Sequence, residues 1–197
     1  MNISVGILIG GRSRRMGHPK ALIRINNTTL IERTVEISRC VADDIMLLGQ
    51  PTFALPESLS SLDVIPDRHR DTGPIGGLDA LLSHWPGRAC ILLACDMPYV
   101  SETLLRRMAS TEDGFDAAVC RTPNADAKSP DRWHPCCGLY RPSALPIIES
   151  AIAAGQYGMI AMLAKLRVLP VDLTGRDTRT VENWNNPADL HDTSPKH

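Results

Sequence analysis

The chain has 197 residues, 43% of them apolar, and its 21 basic and 22 acidic side chains leave a net charge of −1. Near-neutral charge gives no global field to attract nucleic acid, and this length supports one α/β domain with a sizeable core. No apolar run approaches the ~20 residues of a membrane-spanning helix, and the N-terminus shows no basic-then-apolar export pattern, so the cytosol is the expected compartment.

The first segment, residues 3–9, is apolar and β-branched and predicts a buried strand. It runs into LIGGRSRRMGHPK at 8–20, where Gly10 and Gly11 allow a tight turn and close ligand approach. Arg12, Arg14 and Arg15 follow, then Gly17 and Lys20. Exposed backbone N–H groups among clustered cations suit a polyphosphate; the plainer alternative is a glycine turn with a solvated basic loop. The Walker pattern does not fit, because His18 and Pro19 follow Gly17, and the dinucleotide fingerprint fails at Arg12 and Arg15.

Next comes a predicted helix over 30–40 with Leu30, Ile31 and Val35 on one face, then strands at 45–48 and 63–65. A helix over 75–85 turns Leu78, Leu81 and Leu82 inward, with Pro74 at its entry. Residues 90–94 form an apolar run of strand length, and Ser101 caps a helix carrying Leu104, Leu105 and Met108. A strand at 116–120 precedes a polar, exposed loop over 122–133, and a further strand spans 137–140. Pro142 opens one helix through about residue 154, stopped by Gly155. Met159, Met162, Leu163 and Leu166 keep helical spacing as core residues, and Pro170 places the last strand, 168–173, at a sheet edge. Alternating strands and helices predict a three-layer α/β sandwich, Rossmann-like, around a mostly parallel sheet. One domain is expected over 1–193, with 194–197 a frayed tail.

Six cysteines, at 40, 90, 95, 120, 136 and 137, form no C-x-x-C pair and read as reduced apolar residues. His134 with Cys136 and Cys137 is the one metal-like cluster, but adjacent cysteines rarely ligate one tetrahedral ion together. In parallel α/β sheets, ligands bind beyond the carboxyl ends of the strands. Three polar features fall there: the glycine loop, Asp67 after the 63–65 strand, and Asp96 after CILLAC. Asp96 is a candidate Mg²⁺ carboxylate beside a triphosphate, or else a turn aspartate. Asn183 and Asn185 stand in an N-x-N pattern, for a further metal ligand or its water, or else an Asx turn before Pro187. Lys20 and Arg15 are candidate catalytic cations; Arg179, outside the glycine loop, is expected to lie apart from them.

The loop resembles that of nucleotidyltransferases, which join an NTP to a phosphorylated acceptor and release pyrophosphate, and most closely that of the molybdenum-cofactor guanylyltransferases. The matching pieces are LIGGRSRRMG with Lys20, GPIGGL at 73–78, CDMPYV at 95–100, HPCCGLY at 134–140 and NWNNPADL at 183–190, in family order. The resemblance implies the nucleotidyltransferase type of the fold and transfer of GMP from GTP to molybdopterin. It implies that Leu8, Gly10 and Gly11 lie along the nucleotide with Lys20 and Asp96, and that Asp67 recognises guanine. It also implies Mg²⁺ on Asp96 with Asn185, and the pterin toward HPCCGLY and the 122–133 loop. The implied partners are GTP, the molybdopterin acceptor, and the proteins that insert the finished cofactor or chaperone its target enzymes; neither nucleic acid nor membrane is among them. A cytidylyltransferase of the same cofactor, a sugar-phosphate nucleotidylyltransferase and a non-catalytic nucleotide-binding assembly protein are the rivals. The cytidine branch typically carries Ala where this chain has Gly10. Two departures stand out: the second strand ends in LLGQP, where relatives often carry Asn, and the loop before HPCCGLY is long and polar.

Overall fold

Four strands set the frame: β1 (Ile3–Leu8), β4 (Ile45–Leu48), β5 (Val64–Ile65) and β6 (Ala89–Ala94). All run parallel, and Leu8 lies opposite both Leu48 of β4 and Ala94 of β6, while Leu48 lies opposite Ile65 of β5. Their carboxyl ends therefore finish level, and the residues that follow them share one rim. The computed structural model describes residues 3–9, 19–124, 126 and 129–181.

The sheet continues through β7 (Ala117–Thr122), β8 (Arg132–Tyr140) and β9 (Val168–Asp172) in the order β5-β4-β1-β6-β8-β7-β9. Only β8 opposes its neighbours in this seven-stranded sheet, so the mostly parallel expectation holds. β9, with Pro170, is an edge strand as its proline predicts. Chain order reverses at β1, since β4 lies on one side of it and β6 on the other, which makes the β1 end the switch point where such sheets bind ligands.

Two apolar layers follow from strand alternation. Ile7, Leu47, Ile91 and Leu93 face α1 (Leu30–Ser38) and α3 (Glu102–Ala109) on one side. Leu48, Cys90, Leu92 and Tyr140 face α2 (Pro74–His84), α4 (Leu145–Ala153) and α5 (Met159–Leu163) on the other. α1 starts on a capping box: Thr29 Oγ1 accepts from Glu32 N at 3.3 Å, and Thr29 N donates to Glu32 Oε2 at 2.9 Å.

Several boundaries differ from the expectations. The polar loop is shorter at both ends, because β7 runs to Thr122 and β8 begins at Arg132, with Asn124 N donating to Asp131 Oδ1 at 3.0 Å. The expected single helix from Pro142 is split into a 3-10 turn, Pro142–Ala144, and α4. Pro146 has no N–H for the Pro142 carbonyl, so Leu145 N–H takes that carbonyl in a tighter turn. A hairpin, β2 (Arg24–Ile25) with β3 (Thr28–Thr29), turns on Asn26 and Asn27 at φ 48° and 68°. Adjacent Asn residues tolerate that left-handed pair, and this is the signal in the sequence that would have revealed the turn.

Candidate functional site

At the β6 end, Cys95 N donates to the Leu8 carbonyl at 3.3 Å, tying the start of CDMPYV to the end of β1. Asp96 is thereby placed beside the point where the glycine loop leaves the sheet. Pro19 leads into a 3-10 turn, Lys20–Leu22, whose Ala21 is buried. That anchor sends Lys20 Nζ to Asp96 Oδ2 at 3.3 Å, with only 20% and 17% of the two side chains exposed. Asp96 Oδ1 is buried and has no hydrogen-bond partner among the described residues. A buried carboxylate oxygen left without a donor is what a hard divalent cation takes, so the donor set fits one. Among the described residues no group of three or more His, Cys, Asp or Glu gathers as a closed metal site. Mg²⁺ in phosphate-transfer sites completes its sphere with phosphate oxygens and water, so one carboxylate suffices.

Asp67 follows the β5 end and comes within 3.7 Å of the point a Cβ on Gly77 would occupy. The same Cβ would stand 2.5 Å from Leu8 Cδ2, so Gly77 lets the start of α2 close onto β1 and Asp67 together. Burial pushes the Asp67 carboxyl above its ordinary value. Gly73, at φ 68°, caps α2 ahead of Pro74 and accounts for the opening Gly-Pro of GPIGGL.

Next to β6, β8 carries HPCCGLY. Val119 pairs with Gly138 but Cys120 pairs with His134, so Pro135, Cys136 and Cys137 bulge from the β7 ladder. The buried Tyr140 hydroxyl donates to the Pro135 carbonyl at 2.7 Å and pins the bulge. Burial, with the Asp96 charge added, pushes the Cys136 thiol up to about 12, so Cys136 is a neutral neighbour of Asp96. His134 Nε2 and Thr122 Oγ1 are 2.9 Å apart, and burial holds the imidazole down to about 4, a neutral ring.

The structure thus brings together Leu8, Lys20, Asp67 and Asp96 along one rim. Gly10, Gly11, Arg15 and Asn185, with Arg12, Arg14, Gly17 and Asn183, lie outside the described residues. Arg179 is not apart from the site, contrary to expectation. Its guanidinium sits 5.0 Å over the ring of Tyr99, three residues beyond Asp96, because the 3-10 segment Gly175–Val181 packs back on CDMPYV. Sequence reasoning missed Asp79, which is fully buried in α2 against Arg68 and His69. An acidic residue within helical periodicity carries no mark of burial.

The level strand ends, the switch point and the part-buried lysine–aspartate pair make up a ligand-binding rim of an α/β protein. The chain belongs to the MobA-like NTP transferase domain family, whose model matches residues 5–171. A probable molybdenum cofactor guanylyltransferase of Synechococcus elongatus is 32% identical over 196 residues, 96% of each chain. A protein of the same name from Flavobacterium johnsoniae is 30% identical over 188 residues, 94% of this chain and 93% of its own. The crystal structure of molybdopterin-guanine dinucleotide biosynthesis protein A from Archaeoglobus fulgidus matches with TM-score 0.75 at 25% identity, covering 95% of this chain and 94% of that one.

Proposed function

We propose that the protein transfers GMP from GTP to the terminal phosphate of molybdopterin, releasing pyrophosphate, as a step of molybdenum cofactor biosynthesis. The single observation that carries this is the Lys20–Asp96 pair, with its orphaned carboxylate oxygen, at the β1 switch point. It stands in a chain that two guanylyltransferases resemble over nearly their whole length.

An oxygen of the acceptor phosphate forms a bond to the α-phosphorus of GTP, the bond from that phosphorus to its bridge oxygen breaks, and pyrophosphate leaves with the electron pair. No protein nucleophile is needed, so catalysis is positioning and electrostatics. Lys20, with Arg15, neutralises phosphate charge. Asp96, aided by Asn185, holds the divalent cation, which we take to be Mg²⁺. When bound, the cation offsets negative charge on the phosphate oxygens. Leu8, Gly10 and Gly11 line the nucleotide. Asp67 accepts from guanine N1–H and N2–H₂ together, a pairing neither cytosine nor adenine offers. All six cysteines are free, in keeping with a reducing cytosol, where the finished cofactor passes to insertion proteins and chaperones of the target enzymes.

The test is an exchange panel: purified protein, each NTP with Mg²⁺, molybdopterin present or absent, and pyrophosphate measured. GTP is expected to be preferred by roughly 10-fold to 100-fold, the discrimination that unpaired buried polar groups give. Equal use of CTP replaces this reading with cytidylyl transfer, and no pyrophosphate with any NTP leaves only nucleotide binding.

A further inference from the structure

We propose that Asp79 is a positioning residue for base selection: through Arg68 it fixes the loop that presents Asp67. The inference rests on the reading of Asp67 as the guanine-recognising group.

α2 turns Ile75, Leu78, Leu81 and Leu82 into the core, and packing alone would be served by another apolar residue at 79. Instead the helix buries a carboxylate completely. A charge out of water is unfavourable unless something is gained by pairing it. The charged and titratable groups facing it come from the 66–73 loop and from α4. Arg68 Nη1 is 3.3 Å from Asp79 Oδ1, and His69 Nε2 is 3.8 Å from Oδ2. Arg68 also reaches Ser83 Oγ one turn along α2, and Glu149 Oε1 of α4 at 3.5 Å.

The residue immediately after Asp67 is therefore tied to this carboxylate, while His69 lies beside it at 3.8 Å, outside hydrogen-bond reach. The far end of the loop is held separately, since Thr72 Oγ1 donates to the His69 carbonyl at 2.9 Å. Gly76 makes room for that contact, because a Cβ there would stand 2.1 Å from Thr72 Oγ1. The loop borders an open cleft whose lining includes Arg68, His69, Arg70, Thr72, Glu149 and Tyr157, so packing alone does not fix it there. Support comes from the α2 face: Gly76 under Thr72, Gly77 under Asp67, and Asp79 under Arg68. With Asp79 in place, the direction of the Asp67 carboxylate is set by the rigid helix. Without it, Arg68 turns to Glu149 and solvent, and Asp67 loses its fixed aim while the phosphate contacts on the β1 and β6 side persist.

The experiment measures kcat and KM for GTP and for CTP, with molybdopterin as acceptor, in the full-length wild type and in Asp67→Ala, Asp79→Asn and Arg68→Gln, together with thermal midpoints. Asp79→Asn and Arg68→Gln are each expected to lower the GTP-to-CTP ratio of kcat/KM by about 5-fold or more, mainly through KM for GTP, with CTP values held. A merely structural role lowers both nucleotides together. An unchanged ratio in these two variants, while Asp67→Ala lowers it, overturns the inference and leaves the role of Asp67 standing. An unchanged ratio in Asp67→Ala removes that role and the inference with it. If Asp79→Asn does not fold, Arg68→Gln decides by the same criterion.

Discussion

A lysine ammonium 3.3 Å from one oxygen of a carboxylate whose other oxygen is buried and unpaired among the described residues is an asymmetric arrangement. Lys20 satisfies half of Asp96 and leaves the other half for a cation, so the two residues divide the work of neutralising a triphosphate. Asp96→Asn is isosteric and keeps the fold, but gives up the charge. Turnover is expected to fall on the order of 100-fold or more, since the loss concerns charge stabilised in the transition state. Pyrophosphate release at near wild-type rate by a folded Asp96→Asn protein would sink the assignment. Lys20→Ala is expected to weaken GTP binding or slow transfer, whereas Arg39→Ala is not. Arg39 caps the C-terminal end of α1, toward the amino ends of the strands and away from the crevice. Asp96 was readable because an apolar run that ends in an acid marks a strand end. Asp79 was not, because nothing in the sequence says which face of α2 touches the 66–73 loop.

Among the elements, α2 is the one whose sequence answers most directly to the site. Its glycines are spaces for specific neighbours rather than flexible points. Gly77→Ala would place a methyl group 2.5 Å from Leu8 Cδ2, so the half-buried Leu8 side chain at the end of the central strand must turn aside. Overpacking of this kind costs ~1–3 kcal/mol. The displaced Leu8 side chain also crowds the rim it shares with Asp67, so KM for GTP is expected to rise along with a lower urea midpoint. Unchanged midpoint and KM together would show that α2 has slack there. The strands and the helix faces were legible because burial imposes periods of two and 3.6 on the chain. What was missed had no period to betray it: the two-residue strands flanking Asn26–Asn27, the Pro135–Cys137 bulge, and the break that Pro146 makes after Pro142. The bulge depends on a Tyr140 hydroxyl five residues away, a tertiary contact rather than a local propensity.

Over the whole molecule, charge is nearly balanced, so response to pH comes from individual groups rather than from net repulsion. Asp116, just before β7, joins it to the start of β9 and to the 3-10 turn ahead of α4: it accepts from Arg167 N at 2.9 Å, Arg167 Nη2 at 2.8 Å and Ser143 Oγ at 2.7 Å. The Arg167 guanidinium holds this carboxyl far below its ordinary value. Ser58, then Thr29, hold Glu32 down to about 2. Depressed carboxylates contribute stability that is present above their unfolded values near ~4 and is lost as pH falls through the folded ones. His134 loses its contribution earlier. Its folded value is about 4 because burial disfavours the cation, against an ordinary ~6.5, so the folded state binds the proton less readily. Its share is complete above pH ~6.5 and is lost on the way down to ~4. Asp67 and Asp79, whose carboxyls burial pushes up, act in the opposite sense and blunt this loss. The clean readout is therefore a difference. Urea unfolding of wild type and His134→Gln should show a stability gap that narrows by ~2 kcal/mol between pH 7.5 and 4, a figure reduced for solvent screening of a half-buried ring. Asp116→Asn should leave that narrowing intact and instead remove part of the loss below pH ~4. A gap between wild type and His134→Gln that stays constant with pH would mean that His134 titrates as it does in the unfolded chain, and that its 2.9 Å contact with Thr122 survives protonation.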